Sequence, residues 1–400
     1  MQPPDAPAGP LQGIRVIDAG LLVQGPQAAA TLYDWGADVI KVELPGFGDQ
    51  ARWLPVAPGD GRSAYFTACN RGKRSVTIDM RIPAGREVFL RLAAEADVVI
   101  TNFKSGTMES WGLGYEDLAE RNSRLIFATG SSFGPVGPDA NREGADLSGQ
   151  ASGGLISTTG WRGGPPTPVG AAIADHIACQ NMVAGILAAL MARHRTGVGQ
   201  RVDVSLLGGQ IWAQASELTA CILTGAPAGP ANGGNPLIPG IYGIFRTLDG
   251  WLAVVGVVGP ARNRFYEVIG KPELVDLFPQ LLYDEDVKAR LFPILAEAFA
   301  TRSTQEWCKV LGEAGLRFAP VRDHAEVLAE PGAWENGYLR SVASSSGEEI
   351  TVPGSPVRFS ATPARASATT PELGQHTEEV LLELGYSWEE IAHLAEQNAT

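Results

Sequence analysis

The chain has 400 residues, and 31 Lys and Arg against 44 Asp and Glu give it a net charge of −13. Such an acidic balance, without a long basic run, argues against a nucleic-acid partner held through its phosphates. With 44% hydrophobic and 19% charged residues, the composition is that of a globular protein with enough chain for about two or three domains and a large core.

No membrane or targeting segment is predicted. The longest apolar run, 182–192, holds 11 residues, whereas a bilayer crossing needs roughly 20. Residues 1–5 lack the basic and apolar regions of a signal peptide, so a cytoplasmic location is expected. The four cysteines form no Cys-x-x-Cys pair and the five histidines lack metal-ligand spacing, so we expect neither disulfides nor a bound metal.

Strands and helices alternate in the first part of the chain. Hydrophobic patterning predicts strands at 14–18, 37–43, 75–79, 97–102 and 125–129, with helices at 26–35 and 83–96. This alternation predicts an α/β fold with a doubly wound, mainly parallel sheet, in which ligands bind beyond the carboxyl ends of the strands. The loops after Asp18, Asp79 and Asn102 are therefore the predicted binding region.

A different pattern follows. Residues 130–175 are dense in Gly, Ser, Pro and Thr, which favours a functional loop region. The remaining predicted elements are a helix at 176–194, a strand at 201–205, a helix at 206–223, strands at 243–247 and 251–255, helices at 261–270, 286–300 and 304–314, and a helical tail from Thr377. The predicted domains are the first part of a large domain (1–200), a linker helix (201–225), a small α+β domain (226–330), and a linker with the second part of the large domain (331–400).

Motifs of two classes of nucleotide-dependent enzyme are absent. The loop at 20–26 lacks the Gly-x-Gly-x-x-Gly spacing of nicotinamide dehydrogenases, although Glu43 ends the second strand where an acidic residue could bind a ribose. The sequence also contains no Walker phosphate loop.

Two aspartates are candidates for chemistry. Asp175 follows the apolar segment 169–174 and directly precedes a predicted helix, so the common interpretation is a helix cap, worth about 0.5–2 kcal/mol. In an apolar environment that excludes water, the same carboxylate would be poorly hydrated and therefore reactive as a nucleophile. Asp146 lies in a glycine-rich loop, where turn formation or capping is the alternative to a catalytic role.

The segment 70–74 contains Arg71, Lys73 and Arg74. A run of this kind is commonly a solvated loop, but in an acidic chain it is also a docking place for a polyanionic ligand.

An ordered set of motifs resembles the family III CoA-transferases, which include formyl-CoA transferase, the carnitine CoA-transferases and, more distantly, α-methylacyl-CoA racemase. The motifs extend over nearly the whole chain, at 11–18, 36–43, 45–49, 70–75, 96–103, 112–115, 193–205, 356–360 and 373–380.

This resemblance implies an aspartate that attacks an acyl-CoA thioester, forms a mixed anhydride and passes CoA to another carboxylic acid. Asp175 matches that nucleophile, and Gly233 and Gly234 are assigned to stabilising negative charge that develops on oxygen. The segments implied to bind CoA, which is a substrate rather than a tightly bound cofactor, are Val23, Gln24, Ile78, Asp79, Met80, Arg81, Asn102, Phe103 and Lys104.

Two positions depart from the family pattern. Leu44 stands where the family often has an arginine that contacts the nucleotide, so these contacts are expected from Arg71, Lys73, Arg74 or Arg81. The glutamine that is common in the first loop matches Val23, with Gln24 displaced by one position.

An acyl-CoA racemase and a non-catalytic CoA-binding protein are the alternatives. Racemase-like members have a histidine directly before the position of Asp146, and here that residue is Ala145, which cannot transfer a proton. This absence favours transfer, although Asp146 could serve as a second base. The presence of Asp175 disfavours a binding protein.

The resemblance also implies an interlocked homodimer. Each chain would have a large doubly wound domain built from both of its ends and a smaller middle domain. Leu237, Ile238 and Pro239, with Tyr242, suggest an acceptor acid less polar than formate or oxalate.

Overall fold

The computed structural model describes residues 9–59, 61–238, 240–278, 285–343, 347–367 and 369–400. Residues 1–5 and Pro239, on which two of the predictions depend, lie outside these ranges. The chain divides into two compact units. Unit 1 consists of Met1–Gly153, Gly170–Ala213 and Pro331–Thr400, and unit 2 of Gly154–Val169 and Gln214–Glu330.

In chain order the strands are β1 (Arg15–Asp18), β2 (Asp38–Glu43), β3 (Arg74–Thr77), β4 (Val98–Thr101), β5 (Ile126–Ser131), β6 (Arg201–Ser205), β7 (Ile241–Arg246), β8 (Trp251–Val257), β9 (Phe318–Pro320), β10 (Leu339–Ala343) and β11 (Glu349–Pro353).

The helices are α1 (Gln24–Asp34), α2 (Ala64–Asn70), α3 (Pro83–Ala94), α4 (Thr107–Ser110), α5 (Tyr115–Arg121), α6 (Asp146–Ser152), α7 (Leu155–Thr158), α8 (Ile173–Thr196), α9 (Leu206–Ala213), α10 (Ala215–Thr224), α11 (Pro260–Val268), α12 (Leu274–Leu277), α13 (Glu285–Phe299), α14 (Thr304–Glu313), α15 (His324–Leu328), α16 (Pro331–Glu335), α17 (Thr377–Glu383) and α18 (Trp388–Glu396); a short 3₁₀ helix covers Gln50–Trp53.

Unit 1 contains a six-stranded parallel sheet in the order β3-β2-β1-β4-β5-β6. This confirms the predicted α/β fold with a parallel sheet. From β1 to β3 successive strands are added on one side of β1, and from β4 to β6 they are added on the other side. The loops that follow β1 and β4 therefore diverge and leave a crevice between them. The predicted binding loops after Asp18 and Asn102 therefore lie at this crevice.

Helices cover both faces of the sheet. Val16 and Ile17 are neighbours on β1 and belong to different hydrophobic clusters, because successive strand residues face opposite sides. The Val16 cluster includes α1 and α8 residues, whereas the Ile17 cluster includes α3 and the C-terminal helices α17 and α18. Hydrophobic residues on both faces thus hold the sheet between two helical layers.

The C-terminal residues pack along the β3 edge of the sheet. The backbone N–H of Thr77 donates to Thr377 Oγ1 at 3.0 Å, and the backbone N–H of Asp79 donates to the carbonyl of Ala399 at 2.8 Å. Ala399 is completely buried there. Both ends of the sequence thus contribute to unit 1.

The long helix α8 differs from its prediction. It begins at Ile173, with Ala172 at the cap position, so Asp175 lies inside its first turn and is not its cap residue. Its 24 residues are long and apolar enough to cross a membrane by length and composition, a criterion that the run of 11 apolar residues did not meet. Its buried residues, including Met182 and Ile186, pack in the core beside β5. This packing is typical of a core helix in a globular protein.

The predicted helix at 206–223 is two helices, α9 and α10, separated at Gln214. Unit 2 contains an antiparallel sheet in the order β7-β8-β9. Its core joins Phe245 on this sheet to Phe265, Phe299 and Trp307 on the surrounding helices.

Candidate active site

A cavity of about 350 Å³ lies at the crevice between β1 and β4. Its walls come from residues 21–24 after β1, residues 102–105 after β4, and the segment that follows β5. Asp175, at the amino end of α8, lines the same cavity. The topology of unit 1 therefore brings together residues that are up to 185 positions apart in the sequence, from Leu21 to Leu206.

The first wall of the cavity is a tightly held loop. The backbone N–H of Leu21 donates to Asn102 Oδ1 at 2.7 Å, and Asn102 Nδ2 donates back to the Leu21 carbonyl at 2.9 Å. Leu22 has a φ of 61°, in the left-handed region that leucine rarely adopts. The loop after β1 is thus joined directly to the loop after β4.

The two candidate aspartates are close in space. Asp146 Oδ1 accepts the backbone N–H of Ala174 at 2.7 Å and that of Asp175 at 3.3 Å. Asp146 Oδ2 accepts from Gln150 Nε2 at 2.6 Å. Asp146 therefore satisfies the free N–H groups at the start of α8, a capping role supplied by a residue 28 positions earlier than Ala174.

The carboxylate of Asp175 is in an unfavourable place for a charge. It accepts no hydrogen bond from any residue that the structure describes. Burial, followed by repulsion from Asp146, raises its pKa from the ordinary 3.8 to about 7. A carboxylate that is poorly solvated and strongly basic is a good nucleophile, so Asp175 combines exposure to the cavity with reactivity.

His176 lies next to Asp175 and is half-buried. Its ring Nδ1 contacts Gln27 Oε1 on α1, and burial lowers the pKa of the imidazole. The ring is therefore neutral near pH 7 and holds the first turn of α8 against α1.

A second cavity of about 180 Å³ adjoins the same loops. Ile78, Asp79, Met80 and Arg81 line it, together with Leu44, which occupies the place where the family often has an arginine. Arg81 is exposed, and its guanidinium donates to both Asp79 oxygens at 2.8 and 2.7 Å. Because Leu21, Gln50 and Phe103 line both cavities, a single extended ligand could occupy the two.

Three cations around these cavities are exposed enough to meet an anionic ligand. They are Arg81 beside the second cavity, and Lys104 and Arg142 beside the first, with between 48% and 58% of each side chain exposed. Arg142 also stacks on the ring of Phe133.

The basic segment 70–74 does not suit a ligand-binding role. Lys73 is completely buried and its ammonium donates to Asp18, Asn70 and the Pro26 carbonyl. Arg71 is also buried and donates to Asp34 at 2.6 Å.

Arg74, at 17% side-chain exposure, pairs with Asp38 and with Glu379 and Glu383 of α17. These acidic partners lie far from Arg74 in the sequence, so the sequence of segment 70–74 alone could not show that its charges are paired. Of the four residues expected to contact the nucleotide, Arg81 alone is exposed beside a cavity among the described residues.

Gly233 and Gly234 belong to unit 2. Gly233 has a φ of 75°, and a Cβ on it would lie 2.7 Å from the ring of Trp161. A Cβ on Gly234 would lie 2.3 Å from the Tyr242 carbonyl, so glycine is required at both positions. Both glycines line an apolar cavity of about 600 Å³ whose walls include Trp161, Tyr242 and Trp251.

Several wall residues escaped the sequence analysis. Leu22, Ser131 and Ser132 line the main cavity and carry no charge that would distinguish them. Arg142 could have been found, because it precedes Asp146 by four positions in a loop already singled out. In the described part of the chain, no three His, Cys, Asp or Glu side chains lie together as metal ligands.

Comparison with known proteins gives consistent matches over almost the whole chain. Residues 11–377 match the sequence profile of CoA-transferase family III. Succinyl-CoA:glutarate CoA-transferase of Homo sapiens is 33% identical over 386 residues, covering 94% of this chain and 86% of the human protein. Succinyl-CoA–D-citramalate CoA-transferase of Chloroflexus aurantiacus is 32% identical and covers 97% of both chains.

A solved structure shares the fold. The crystal structure of a CaiB/BaiF family protein from Brucella suis aligns with a TM-score of 0.84 at 32% identity, covering 94% of this chain and all of that one.

Proposed function

Because the chain belongs to CoA-transferase family III, we propose that it moves CoA from an acyl-CoA thioester to a free carboxylic acid through covalent chemistry at Asp175. The observation that carries this proposal is the state of the Asp175 carboxylate. It faces a cavity, accepts no hydrogen bond from the described residues, and has a pKa raised to about 7.

In the first half-reaction an Asp175 oxygen attacks the thioester carbonyl carbon. The carbon–sulfur bond breaks, CoA leaves as a thiolate, and a mixed anhydride of Asp175 and the acyl group remains. The thiolate then attacks the Asp175 carbonyl carbon, which releases the donor acid as a carboxylate and leaves CoA bound to Asp175 as a thioester.

The second half-reaction repeats these steps in reverse with the acceptor. Its carboxylate attacks the Asp175 thioester and expels CoA thiolate, which gives a second anhydride. The thiolate next attacks the acceptor carbonyl carbon, so the acceptor leaves as its CoA thioester and Asp175 is again a carboxylate. Each thioester or anhydride bond that breaks is replaced by another activated acyl bond. The reaction consumes no proton and needs no oxidant or reductant.

Water would hydrolyse the two anhydrides and the Asp175 thioester, so the site must exclude it. The apolar side chains of Leu21, Leu22 and Val23 line the cavity beside Asp175 and support this requirement. We assign the pantetheine and nucleotide parts of CoA to the adjoining cavities, with Arg81 and Lys104 placed to meet phosphate groups. Gly233 and Gly234 remain assigned to charge stabilisation as part of this proposal.

For the acid partners we propose short dicarboxylic acids such as succinate. Both named relatives use succinyl-CoA. Arg142 in the main cavity offers positive charge for a second carboxylate. The less polar acceptor suggested by Leu237 and Tyr242 is the competing prediction.

A homodimer is part of the same proposal. In the described residues, α9 exposes Ile211 and Trp212, and α10 exposes Ile222 and Leu223, the last two at 80%. Apolar side chains of this size exposed in sequence neighbours support burial against a second copy of the chain.

The racemase alternative has weaker support. Ala145, at the position of the histidine of racemase-like members, lines the cavity and offers no base. The Asp146 carboxylate is engaged by the α8 backbone and by Gln150, so it is a poor second base.

The test is to incubate the protein with a panel of acyl-CoA thioesters, trap with hydroxylamine or borohydride, and locate the adduct by mass spectrometry. Adduct confined to Asp175, and absent from Asp175→Ala and Asp175→Asn, is the expected result. Thioesters and acids of dicarboxylic and apolar type in the same panel decide between the two substrate predictions. Deuterium exchange at the α-carbon without an adduct would instead favour racemisation.

A further inference from the structure

Four charged side chains that pair with one another are buried behind the first wall of the main cavity. Asp18, Lys41, Asp49 and Lys73 each have 0% side-chain exposure. Two are cations and two are anions, so their charges cancel. We call them the buried charge cluster.

The cluster is connected by short ion pairs. Lys73 Nζ lies 2.6 Å from Asp18 Oδ2, and Lys41 Nζ lies 2.8 Å from Asp49 Oδ2 and 3.5 Å from Asp18 Oδ2. Buried ion pairs are weak evidence for stability, because well-packed apolar residues of similar volume commonly replace them without loss. The role of the cluster is therefore better judged from the backbone groups that it contacts than from its ion pairs.

The cluster holds the backbone of the loop after β1. Asp18 Oδ1 accepts the N–H of Gly20 at 2.9 Å, and Lys41 Nζ donates to the carbonyl of Gly20. Asp49 Oδ1 accepts the N–H of Leu22 at 3.0 Å. Since Asn102 holds both polar groups of Leu21, side chains fix all five backbone polar groups from the Gly20 N–H to the Leu22 N–H.

This anchoring explains how Leu22 keeps its unusual conformation. A leucine at a φ of 61° persists only where its surroundings fix it, and the N–H of Leu22 is fixed by Asp49. Leu21, Leu22 and Val23 line the cavity that contains Asp175, so a small rotation of this loop would move the wall beside the nucleophile.

We propose that the buried charge cluster positions the loop of residues 20–23 for the reaction at Asp175, and that Lys41 and Asp49 are positioning residues for the transfer. This inference rests on the proposed function. The cluster touches the loop backbone rather than the reacting atoms, so its effect is on the rate at which a bound thioester is attacked.

Asp49→Asn is the direct test, because it removes the charge paired with Lys41 while it retains an oxygen for the N–H of Leu22. Asp97→Asn is a matched control. Asp97 accepts a backbone N–H from Arg15 at 2.8 Å and pairs with Arg193 at 2.8 Å, but it lies at the amino end of β4, whereas the cavity lies beyond the carboxyl ends of the strands.

Two sets of measurements separate positioning from a merely structural role. The first is the single-turnover rate of Asp175 acylation, measured by trapping, together with the affinity for free CoA. The second is hydrogen exchange of the peptide that covers residues 20–24.

We expect Asp49→Asn to slow acylation by about 10- to 100-fold, with little change in CoA affinity and faster exchange in that peptide. We expect Asp97→Asn to change neither measurement beyond about two-fold, even where it lowers Tm as much.

Equal acylation rates and equal exchange in the two variants would overturn the inference. If Asp49→Asn does not fold, Lys41→Gln replaces it, because it removes the charge paired with Asp49 while it retains an N–H donor for the carbonyl of Gly20. If the wild type forms no adduct with any thioester, the proposed function fails, and the exchange comparison still decides whether the cluster orders the loop.

Discussion

Replacing Asp146 by Asn removes one negative charge from the neighbourhood of Asp175 while it leaves an oxygen for the N–H groups of α8. The pKa of Asp175 stands about 3 above its ordinary value, at about 7 against 3.8, with burial the larger cause and Asp146 the smaller. Asp146 therefore accounts for less than half of the rise, which is at most about 1.5 in pKa or about 2 kcal/mol.

The acidic limb of the pH profile should report this change. Asp175 must be ionised to attack, so kcat/KM for the acyl-CoA of the wild type should fall as the pH drops through about 7. In Asp146→Asn the same limb should lie roughly 1 pH unit lower, which leaves more of the nucleophile ionised at pH 6.

The assay is the initial rate of CoA transfer between pH 5 and 9 at low acyl-CoA concentration. Glu143→Gln is the matched control, because Glu143 also lines the cavity but is not a cause of the raised pKa of Asp175. An unchanged limb in Asp146→Asn, or an equal displacement in both variants, would refute the reasoning.

Three further predictions concern stability and binding. Because the pKa of Asp175 is raised from 3.8 to about 7, the folded state loses stability as the pH rises through this range. Asp175→Asn should therefore increase the free energy of unfolding by roughly 2–4 kcal/mol at pH 8 and change it little at pH 4. Urea titration at the two pH values measures this difference. Arg81→Gln should raise KM for acyl-CoA about ten-fold with kcat retained, whereas Arg74→Gln should lower Tm and leave KM unchanged; the opposite pattern would contradict the assignment of the nucleotide contacts. A Cβ on Gly130 would lie 2.3 Å from Gln24 Oε1, so Gly130→Ala should displace Gln24 from the cavity and reduce kcat, and steady-state rates equal to the wild type would show that Gln24 is not needed.

The sequence was sufficient where a feature depends on local patterning. Alternating apolar segments predicted the parallel strands to within a few residues, and β6 occupies the predicted 201–205. The family was also predicted correctly, because its motifs are spread in order along the chain.

The sequence was insufficient where a side chain meets a distant partner. Lys73 is paired with Asp18, 55 positions away, and that contact turns an expected surface charge into a buried one. Asp146 caps α8 from 28 positions before Ala174, so the cap could not be recognised from the residues next to the helix. Hydrophobic periodicity reports local secondary structure and does not show which distant residues come into contact.

The discontinuous course of unit 1 has a consequence for its biosynthesis. The residues that cover β3, from Thr377 onward, are translated only after all of unit 2. During translation the sheet edge beside Asp79 therefore remains uncovered until the segment from Thr377 to Ala399 has been synthesised. Until then, chaperones and proteases can reach the edge that carries the proposed CoA-binding residues Asp79 and Arg81.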